Sequence, residues 1–498
     1  MEHFQKEEHD AAVKVISQQV SSFYESKTQF RIYHGSTNST RPTAFDPRKI
    51  VDTSKLKHVW VDTDRKVALV EPNVAMDELV DVTLKHGLVP PVVMEFPGIT
   101  VGGGYAGTSG ESSSFKHGFF SDTINWVELV LPDGTICRAS PTEHADLFYG
   151  GAGSLGTMAV GTLFEVRLVK ATKYVEVTYF PVTSVAAAVE TIEACMSDKT
   201  NDYVDAVLLH TDQGAVVTGR LVDSVPETIP IQTFHGPWDP WFYLHVYDLT
   251  QKTSEPVKEA VPLKDYLFRY DRGGFWTGRY AFFFIVGPFN RFTRWLFDRY
   301  LRTRPLYQTL HTSGHADHYI IQDLAIPAAR TEDFITYIDE EVHVWPLWLC
   351  PLKPCERSLF NPSLASAGKI AKSKQYLMNI GLWGPGPINY GQCLELNKRL
   401  EKKVHEVGGW KWLYAQVFYT EDEFWKIYDK TKYEALREKY SATYMPTVFD
   451  KVKRSSVKVK QIKDTVTSID IARALYMGFY STLRTVVSSE YLLKPKRD

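Results

Sequence analysis

Residues 98–118 read GITVGGGYAGTSGESSSFKHG, and a second glycine-rich stretch, GGAGSLGT, follows at residues 150–157. Glycine and small hydroxyl residues leave backbone N–H groups unshielded, and such groups can approach phosphate oxygens closely. The two stretches therefore predict a cradle for a large anionic cofactor.

A dinucleotide-binding Rossmann site is one alternative for this stretch. Gly102, Gly104 and Gly107 fit the spacing G-x-G-x-x-G, and Asp122 lies near the position of a ribose-binding acid. That motif has to open a helix, but residues 108–114 have no apolar period of 3.6 residues and are rich in residues that disfavour helices. The Rossmann interpretation is therefore disfavoured.

Composition is that of an ordinary globular protein. The 498 residues suffice for two or three domains, and 57 basic against 59 acidic residues give a net charge of −2, which does not attract nucleic acid. The five cysteines are scattered without a C-x-x-C pair, which favours a reducing compartment. The N-terminus lacks the apolar core of a signal peptide, and no stretch approaches the ~20 apolar residues of a membrane span. We expect an intracellular protein, cytoplasmic or peripherally attached to a membrane.

An aromatic segment at residues 280–289 is about half the length of a membrane span. Aromatic residues between arginines can lie in a bilayer interface, which makes residues 276–305 a candidate for peripheral membrane contact. A buried segment beside a solvated basic face explains the pattern equally well. The flanking arginines are Arg269, Arg272, Arg279, Arg291, Arg294 and Arg299.

Hydrophobic periodicity predicts both helices and strands, and from Lys173 onward their pattern indicates a second, α+β domain. Helices are predicted at 2–27, 72–86, 185–196, 397–407 and 421–440, and strands at 67–71, 124–131, 135–139, 160–169, 174–180, 204–209, 216–221, 319–324, 343–350, 376–382 and 412–418. The predicted domains are 1–172; 173–408, with an aromatic and basic insertion at 226–305; 409–450, which returns to the first domain; and a basic extension at 451–498.

Six ordered pieces of sequence carry a family resemblance. They are Pro97–Gly103, Lys116–Gly118, Asp122–Ile124, Val130–Gly134, Asp146–Phe148 and Gly153–Thr157. In this order they resemble the FAD-binding domain of the vanillyl-alcohol oxidase and p-cresol methylhydroxylase (PCMH) type. The resemblance implies a two-subdomain FAD-binding domain and an α+β cap domain with an antiparallel sheet.

Within that superfamily the chain resembles the Δ24-sterol reductase (Diminuto/seladin) group from about residue 50 to 450. The residues that carry this are Gly110–Ser114, Asp146–Tyr149, Val204–Leu208, Val344–Pro351, Leu413–Ala415 and Phe424–Trp425. Two departures from that group are expected: no N-terminal membrane segment of the kind usual in those reductases, and a shorter stretch at residues 353–373.

The resemblance implies which residues bind FAD. Many members of the superfamily tether the flavin to a histidine in the first loop, and Thr37 stands at the corresponding position, so non-covalent FAD is expected. The implied cofactor-binding residues are His34, Gly35, Ser36, Thr37, Asn38, Gly98, Thr100, Val101, Gly102, Gly103, Gly107, Thr108, Gly110, Glu111, Ser112, Gly118, Gly153, Ser154, Gly156, Thr157 and Val160.

Catalytic candidates lie where the second domain is expected to cover the flavin. His318 and Asp323 match the reductase pattern, as proton donor or as the group that orders it; a buried core histidine is the alternative for His318. His315, Asp317 and His318 also resemble metal-ligand spacing, but residues three apart on a strand point to opposite faces, so no metal is predicted. Further candidates are His315, His343, Lys353, Tyr390 and Tyr414, and Trp345, Trp348 and residues 282–289 are candidates for an apolar wall.

Three functions remain open at this stage. The first is an FAD-dependent reductase that takes electrons from NADPH and reduces a carbon–carbon double bond of a sterol-like substrate. The second is a flavin oxidase or dehydrogenase of an alcohol, because the acid and base residues that the two reactions need overlap. The third is a flavin-retaining binding protein without turnover. The expected partner is a small apolar molecule, and the oligomeric state stays open, with a homodimer as one option.

Overall fold

The structure is a computed structural model that describes residues 6–35, 39–41, 46–285, 288–313, 319–355, 357–364, 375–387 and 389–453. Several predicted site residues lie outside the described residues, namely Ser36, Thr37, Asn38, His315 and His318, as does the chain after residue 453.

The first part of the chain forms a five-stranded antiparallel sheet with helices around it. Its elements are α1 Lys6–Glu25, β1 Arg31–Tyr33, β2 Ile50–Asp52, β3 Val59–Asp62, β4 Val67–Val70, α2 Met76–Leu84, β5 Leu88–Val89, α3 Val101–Gly107, α4 Ser114–His117, β6 Ile124–Val130, β7 Ile136–Ala139, α5 Ala145–Gly151, β8 Val160–Arg167 and β9 Val169–Lys170. The strand order in the sheet is β3-β4-β8-β6-β7. Helix α1, which lies within the helix predicted at 2–27, buries Val13, Ile16 and Val20, which recur at helical spacing.

The second part forms an eight-stranded antiparallel sheet in the order β13-β10-β12-β11-β15-β16-β14-β17. Its elements are β10 Tyr174–Val182, α6 Val185–Ser197, β11 Tyr203–His210, β12 Gln213–Val222, α7 Phe242–Lys252, β13 Val257–Pro262, α8 Leu263–Leu267, α9 Gly278–Ile285, α10 Arg291–Leu296, α11 Thr303–Ser313, β14 Tyr319–Pro327, α12 Thr331–Tyr337, β15 Leu347–Leu352, β16 Leu377–Pro385, α13 Tyr390–Glu406 and β17 Trp410–Lys411. The predicted α+β class with an antiparallel sheet is confirmed.

The two faces of this sheet contact different parts of the protein. Side chains alternate between the faces of a strand, and Leu324 and Ile380, which face each other across β14 and β16, belong to the apolar cluster with α6, α12 and α13. Asp323 and Asn379 therefore point to the opposite face, toward the first part of the chain. Because Gly381 stands opposite Asp323 and has no side chain, it leaves room for that carboxyl group.

The aromatic and basic insertion is held together by buried arginines. Arg272 forms a 2.6 Å ion pair with Asp298 and donates to the carbonyl groups of Phe234 and Asp239. Arg269 forms a 2.6 Å ion pair with Asp205 on β11. The insertion, which sequence periodicity describes poorly, is thus ordered by ion pairs and carbonyl contacts between distant residues.

The end of the described chain differs from the prediction. The expected strand at 412–418 is wrong: the strand stops at Lys411, whose buried ammonium group binds Glu401 at 2.5 Å and the carbonyl oxygen of Gln416, and this turns the chain back on itself. The expected helix at 421–440 is divided into α14 Glu421–Ile427 and α15 Lys430–Lys439, and α16 Val448–Val452 follows. No helix in the described ranges is long and apolar enough to cross a membrane.

Candidate active site

A cavity of about 300 Å³ lies between the glycine-rich stretches and the inner face of the eight-stranded sheet. Many of the predicted cofactor residues line it: His34, Thr100, Gly102, Gly103, Gly107, Thr108, Gly110, Glu111, Ser154 and Gly156. Two separate stretches of sequence therefore form one wall of the cavity, as expected of a cradle.

Other predicted cofactor residues do not line the cavity. Val101 and Val160 are core residues, the hydroxyl group of Thr157 pairs with that of Tyr433, and Gly118 fits closely against Asp122. These residues pack behind the residues that form the cavity wall. The described residues predicted to bind the cofactor but absent from the cavity wall are Gly35, Gly98, Val101, Ser112, Gly118, Gly153, Thr157 and Val160.

The first glycine stretch is itself a helix, α3, which the sequence analysis did not predict. Thr100 caps it by accepting a hydrogen bond from the N–H group of Gly103 at 3.1 Å. Glycine is required at Gly102 because a Cβ atom there would lie 2.8 Å from the side chain of Pro72. Close packing, more than conformational freedom, thus explains this glycine, and it brings α3 to the cavity wall.

The two glycine-rich stretches are joined by backbone hydrogen bonds. Gly153 donates to the carbonyl oxygen of Tyr105 at 3.0 Å, and Leu155 donates to that of Ala106 at 2.8 Å. Gly156 has a φ of +67°, which favours glycine, and this lets the second stretch turn along the cavity. The cradle is therefore a fixed structure built from residues about 50 positions apart.

Cationic side chains crowd one end of the cavity. Lys451 donates from Nζ to the carbonyl oxygen of Leu155 at 2.7 Å, and Arg41 donates to the carbonyl oxygen of Lys451 at 2.9 Å. Burial, together with repulsion from Arg31 and Arg41, lowers the pKa of Lys451 to about 7. Burial, with repulsion from Lys451 and Arg41, lowers the pKa of His34 to about 4.

Such a cluster fits the diphosphate of FAD. Buried like charges repel one another, and an anion of two phosphate groups between them would relieve that repulsion. Glu111, which the resemblance implies lies near the flavin, is buried, and its Oε2 atom has no hydrogen-bond partner, so it can accept a hydrogen bond from a ligand. The residues present therefore fit the cofactor that the resemblance implies.

Polar residues at the other end of the cavity form a small network. Tyr414 donates to Oδ2 of Asp323 at 2.7 Å, and Asn379 donates to Oδ1 at 3.2 Å. Burial raises the pKa of Asp323 to about 6, although these two hydrogen bonds oppose the rise. Burial and the neighbouring Asp323 raise the pKa of Tyr414 well above its ordinary value. The structure thus brings together two of the predicted catalytic residues.

Aromatic rings surround this network. Phe275 lies in edge contact with Trp383 at 4.8 Å between centroids, and Phe96 lies 5.3 Å from the same Trp383. Trp348, a predicted wall residue, also lines the cavity, whereas Trp345 is turned away and donates to Asp339. A rigid aromatic surface of this kind suits a bulky apolar ligand.

His343 does not belong to this site. It is exposed, has a φ of +57°, and ends the π-helical turn Ile338–Val342, away from the cavity wall. Lys353 and Tyr390 are not on the wall either, and the predicted wall residue Phe282 packs inside the insertion against Phe289.

Sequence reasoning missed several residues of the cavity wall. Lys451 lies more than 400 positions from Arg31 and Arg41, so no local pattern joins the three residues. Glu95 also lines the cavity, and it could have been found, because it is the one charged residue in the otherwise apolar run at residues 88–97. A carboxylate is rarely buried unless it has a partner.

Comparison with known proteins identifies the family. Residues 12–140 match the FAD binding domain family. The chain is 30% identical over 397 residues to the Delta(24)-sterol reductase of Homo sapiens, a match that covers 79% of this chain and 75% of the relative. The chain belongs to the Δ24-sterol reductase family. The Δ24-sterol reductase of Pisum sativum is 28% identical over 450 residues, covering 83% of this chain and 78% of that relative. As a member of the Δ24-sterol reductase family, the protein is an FAD-dependent oxidoreductase.

Proposed function

We propose that the protein reduces an isolated carbon–carbon double bond in a sterol-like substrate, with electrons from NADPH that reach the substrate through FAD. The observation that carries the proposal is the composition of the cavity: a glycine cradle with a cationic end faces an aromatic wall that contains Asp323 and Tyr414. An unactivated alkene is a poor hydride acceptor, so its reduction needs an acid placed opposite the hydride donor. The aromatic wall would bind the apolar part of the substrate and exclude water.

In this proposal the cradle holds the cofactor at its diphosphate and at its flavin ring. Lys451 and Arg41 would bind the diphosphate, and Thr108, Gly110 and Glu111 would lie along the flavin ring. When bound and reduced, FAD supplies a hydride. Since threonine at position 37 cannot form the bond that a histidine forms, we expect the flavin to separate from acid-precipitated protein; flavin retained in the pellet contradicts non-covalent binding.

The reductase proposal is tested by mixing the purified protein with NADPH without oxygen. We expect rapid loss of the absorbance of oxidised flavin, followed by its return when a sterol with an isolated side-chain double bond is added. The saturated sterol serves as the control and should leave the flavin reduced. A flavin that NADPH does not reduce contradicts NADPH as the donor, and a reduced flavin that no alkene reoxidises contradicts the reductase.

Oxidation of an alcohol is the second candidate. Because the pKa of Asp323 is about 6, its carboxylate is mostly ionised at neutral pH and could accept the hydroxyl proton of an alcohol. In the same anaerobic experiment, this candidate predicts that an alcohol reduces the flavin and NADPH does not. If neither reduces it, the protein is a flavin-retaining binding protein.

We also propose that the insertion contacts a membrane through one surface. This aromatic–basic patch consists of Trp238, Arg291, Phe292, Trp295 and Leu296. Phe292, Leu296 and Trp238 are 56%, 52% and 46% exposed, and Trp295 stacks on Trp238 at 4.8 Å. Exposed aromatic residues beside arginines suit the interface of an anionic bilayer, from which an apolar substrate could enter the protein.

The membrane proposal is tested with the double variant Phe292→Ser/Leu296→Ser. The wild-type protein should float with vesicles of phosphatidylcholine and phosphatidylserine, and the variant should bind at least about tenfold more weakly because it loses two inserted apolar side chains. Val15→Ser, which removes an exposed apolar residue of α1, is the matched control and should bind like the wild type. Failure of the wild type to bind these vesicles refutes the proposal.

A further inference from the structure

Glu95 is a buried carboxyl group in the cavity wall that the fold leaves with an unused oxygen atom. Its side chain is 6% exposed, and its Oε1 atom has no hydrogen-bond partner. A buried polar atom without a partner costs about 1–3 kcal/mol. Such an atom in a cavity wall points to a ligand as its partner.

The neighbours of Glu95 place it between the cradle and the aromatic wall. The next residue, Phe96, packs against Phe275 at 5.7 Å and against Tyr307 at 5.8 Å, and both of these line the cavity. The preceding residue, Met94, lies against Gly104 of α3. Glu95 therefore stands where the cofactor-binding part of the cavity meets the apolar part.

The surroundings keep this carboxyl group neutral. Burial raises the pKa of Glu95 to about 8; Arg269 opposes the rise, and Asp205 and Asp323 add to it. At pH 7 most molecules therefore carry a protonated Glu95. The titratable and charged groups that interact with it are Asp205, Tyr266, Arg269, Tyr270, Asp323 and Cys350.

Asp323 is less suited to give up a proton. Both of its oxygen atoms already accept hydrogen bonds, from Tyr414 and Asn379, and its pKa of about 6 leaves it mostly ionised at neutral pH. Its negative charge instead helps to keep Glu95 protonated. The two carboxyl groups thus have different protonation states in one cavity, which is a common basis for dividing catalytic roles.

We propose that Glu95 is the general acid that protonates the substrate during reduction of the double bond, and that Asp323 and Tyr414 are positioning residues. The inference rests on the proposed function. The π bond of the alkene is replaced by two C–H bonds: one carbon receives the hydride that the reduced cofactor supplies, and the other receives the proton of the Glu95 carboxyl group. Glu95 is left as a carboxylate and takes a proton from water before the next turnover.

The proposal is tested with Glu95→Gln, which keeps the shape of the side chain and replaces the carboxylic acid with an amide that cannot act as a general acid. A general acid contributes about 10²–10⁴ to a rate, so we expect single-turnover reduction of the alkene by pre-reduced enzyme to slow by about that factor. Binding of FAD and reduction of the flavin by NADPH should remain as in the wild type. In the wild type, the alkene step should also slow as the pH rises through about 8, the pKa of the acid.

An infrared difference spectrum gives a readout that does not depend on turnover. At pH 7 the wild type minus Glu95→Gln should show the carbonyl band of a neutral carboxylic acid, and the band should vanish above pH 8. Glu165→Gln changes another buried carboxyl group, which lies on β8 outside the cavity, and should leave both the band and the alkene step unchanged.

Two results would overturn the assignment of Glu95. One is an alkene step in Glu95→Gln within a few-fold of the wild-type rate, and the other is the absence of the neutral-acid band at pH 7. Both results can be told apart from failure of the proposed function. In that case the wild-type enzyme would reduce no alkene, and the role of Glu95 as the acid would fail with it.

Discussion

Lys451 is a buried lysine among other cationic side chains at one end of the cavity. Its ammonium group lies beside Arg31 and Arg41 and donates to the carbonyl oxygen of Leu155 in the second glycine stretch. A lysine whose pKa is lowered to about 7 by burial and like charges is partly deprotonated at neutral pH when no anion is bound beside it. The binding of a diphosphate would restore the proton and stabilise the charged form.

We therefore predict that Lys451→Met weakens FAD binding. A hydrogen bond to a charged group contributes about 1.5–3 kcal/mol, so the dissociation constant should rise by roughly ten- to a hundredfold. In the wild type, affinity should fall as the pH rises above about 7, because binding must then take up a proton at Lys451; the variant should lack this dependence. Quenching of flavin fluorescence on titration measures both effects.

Lys439→Met is the control for this prediction. Lys439 is an exposed lysine of α15 that pairs with Asp146 on the surface, and its loss should leave FAD affinity unchanged. Equal affinity of Lys451→Met and wild type across the pH range would remove Lys451 from the cofactor site.

At the scale of elements, helix α3 depends on close packing at one glycine. Gly102 donates to the carbonyl oxygen of Pro72 at 2.9 Å, and an added Cβ atom would lie 3.0 Å from that oxygen and 2.8 Å from the Pro72 side chain. We predict that Gly102→Ala destabilises the FAD-free protein by about 1–3 kcal/mol, the usual cost of overpacking. Gly107→Ala, whose Cβ would meet no atom within 4 Å, should be neutral or stabilising by up to about 1 kcal/mol.

Urea unfolding of the two FAD-free variants measures this difference. Equal stability of Gly102→Ala and Gly107→Ala would show that α3 can move away from Pro72 without cost, and that the glycine is not required for packing.

How far the sequence predicts an element depends on whether its determinants are local. The apolar stripe of α1 and the strand β14 were predicted because periodicity alone specifies them. The segment 412–418 is a short, mostly apolar run that suits a strand, but the chain turns at residues 413–415, and the buried ammonium group of Lys411 binds the carbonyl oxygen of Gln416 across this turn, a contact that no local pattern reveals. Many of the predicted cofactor residues line the cavity, and most of these lie in the two short glycine-rich stretches, whereas the cluster of Arg31, Arg41 and Lys451 joins two arginines to a lysine more than 400 positions away.

At the scale of the whole molecule, a buried ionic cluster fastens α1 to the first sheet. His9 contacts Glu71 at 2.7 Å and Glu128 at 3.0 Å, and His58 contacts the second oxygen of Glu71 at 3.0 Å. Burial opposes the charge on His9, but the hydrogen bonds to Glu128 and Glu71 outweigh it and raise its pKa to about 9. The same contacts lower the pKa values of Glu71 and Glu128 against the effect of burial.

The signs of these shifts define a pH window for stability. The contribution of His9 is complete below its ordinary pKa of 6.5 and is lost as the pH rises through about 9. The contributions of the two glutamates are complete above their ordinary pKa of 4.5 and are lost as the pH falls below that value. The cluster therefore stabilises the fold most between about pH 4.5 and 6.5.

We predict that His9→Ala lowers the free energy of unfolding by about 3–5 kcal/mol at pH 6, because it breaks the buried His9–Glu71 pair and removes one of the partners of Glu128. The difference in Tm between wild type and variant should shrink as the pH rises from 6.5 to 9, since the wild type then loses the charge that the variant never had. Thermal unfolding at a series of pH values measures this. A Tm difference that stays constant over that range would mean that His9 holds α1 as a neutral side chain, by packing and not by charge.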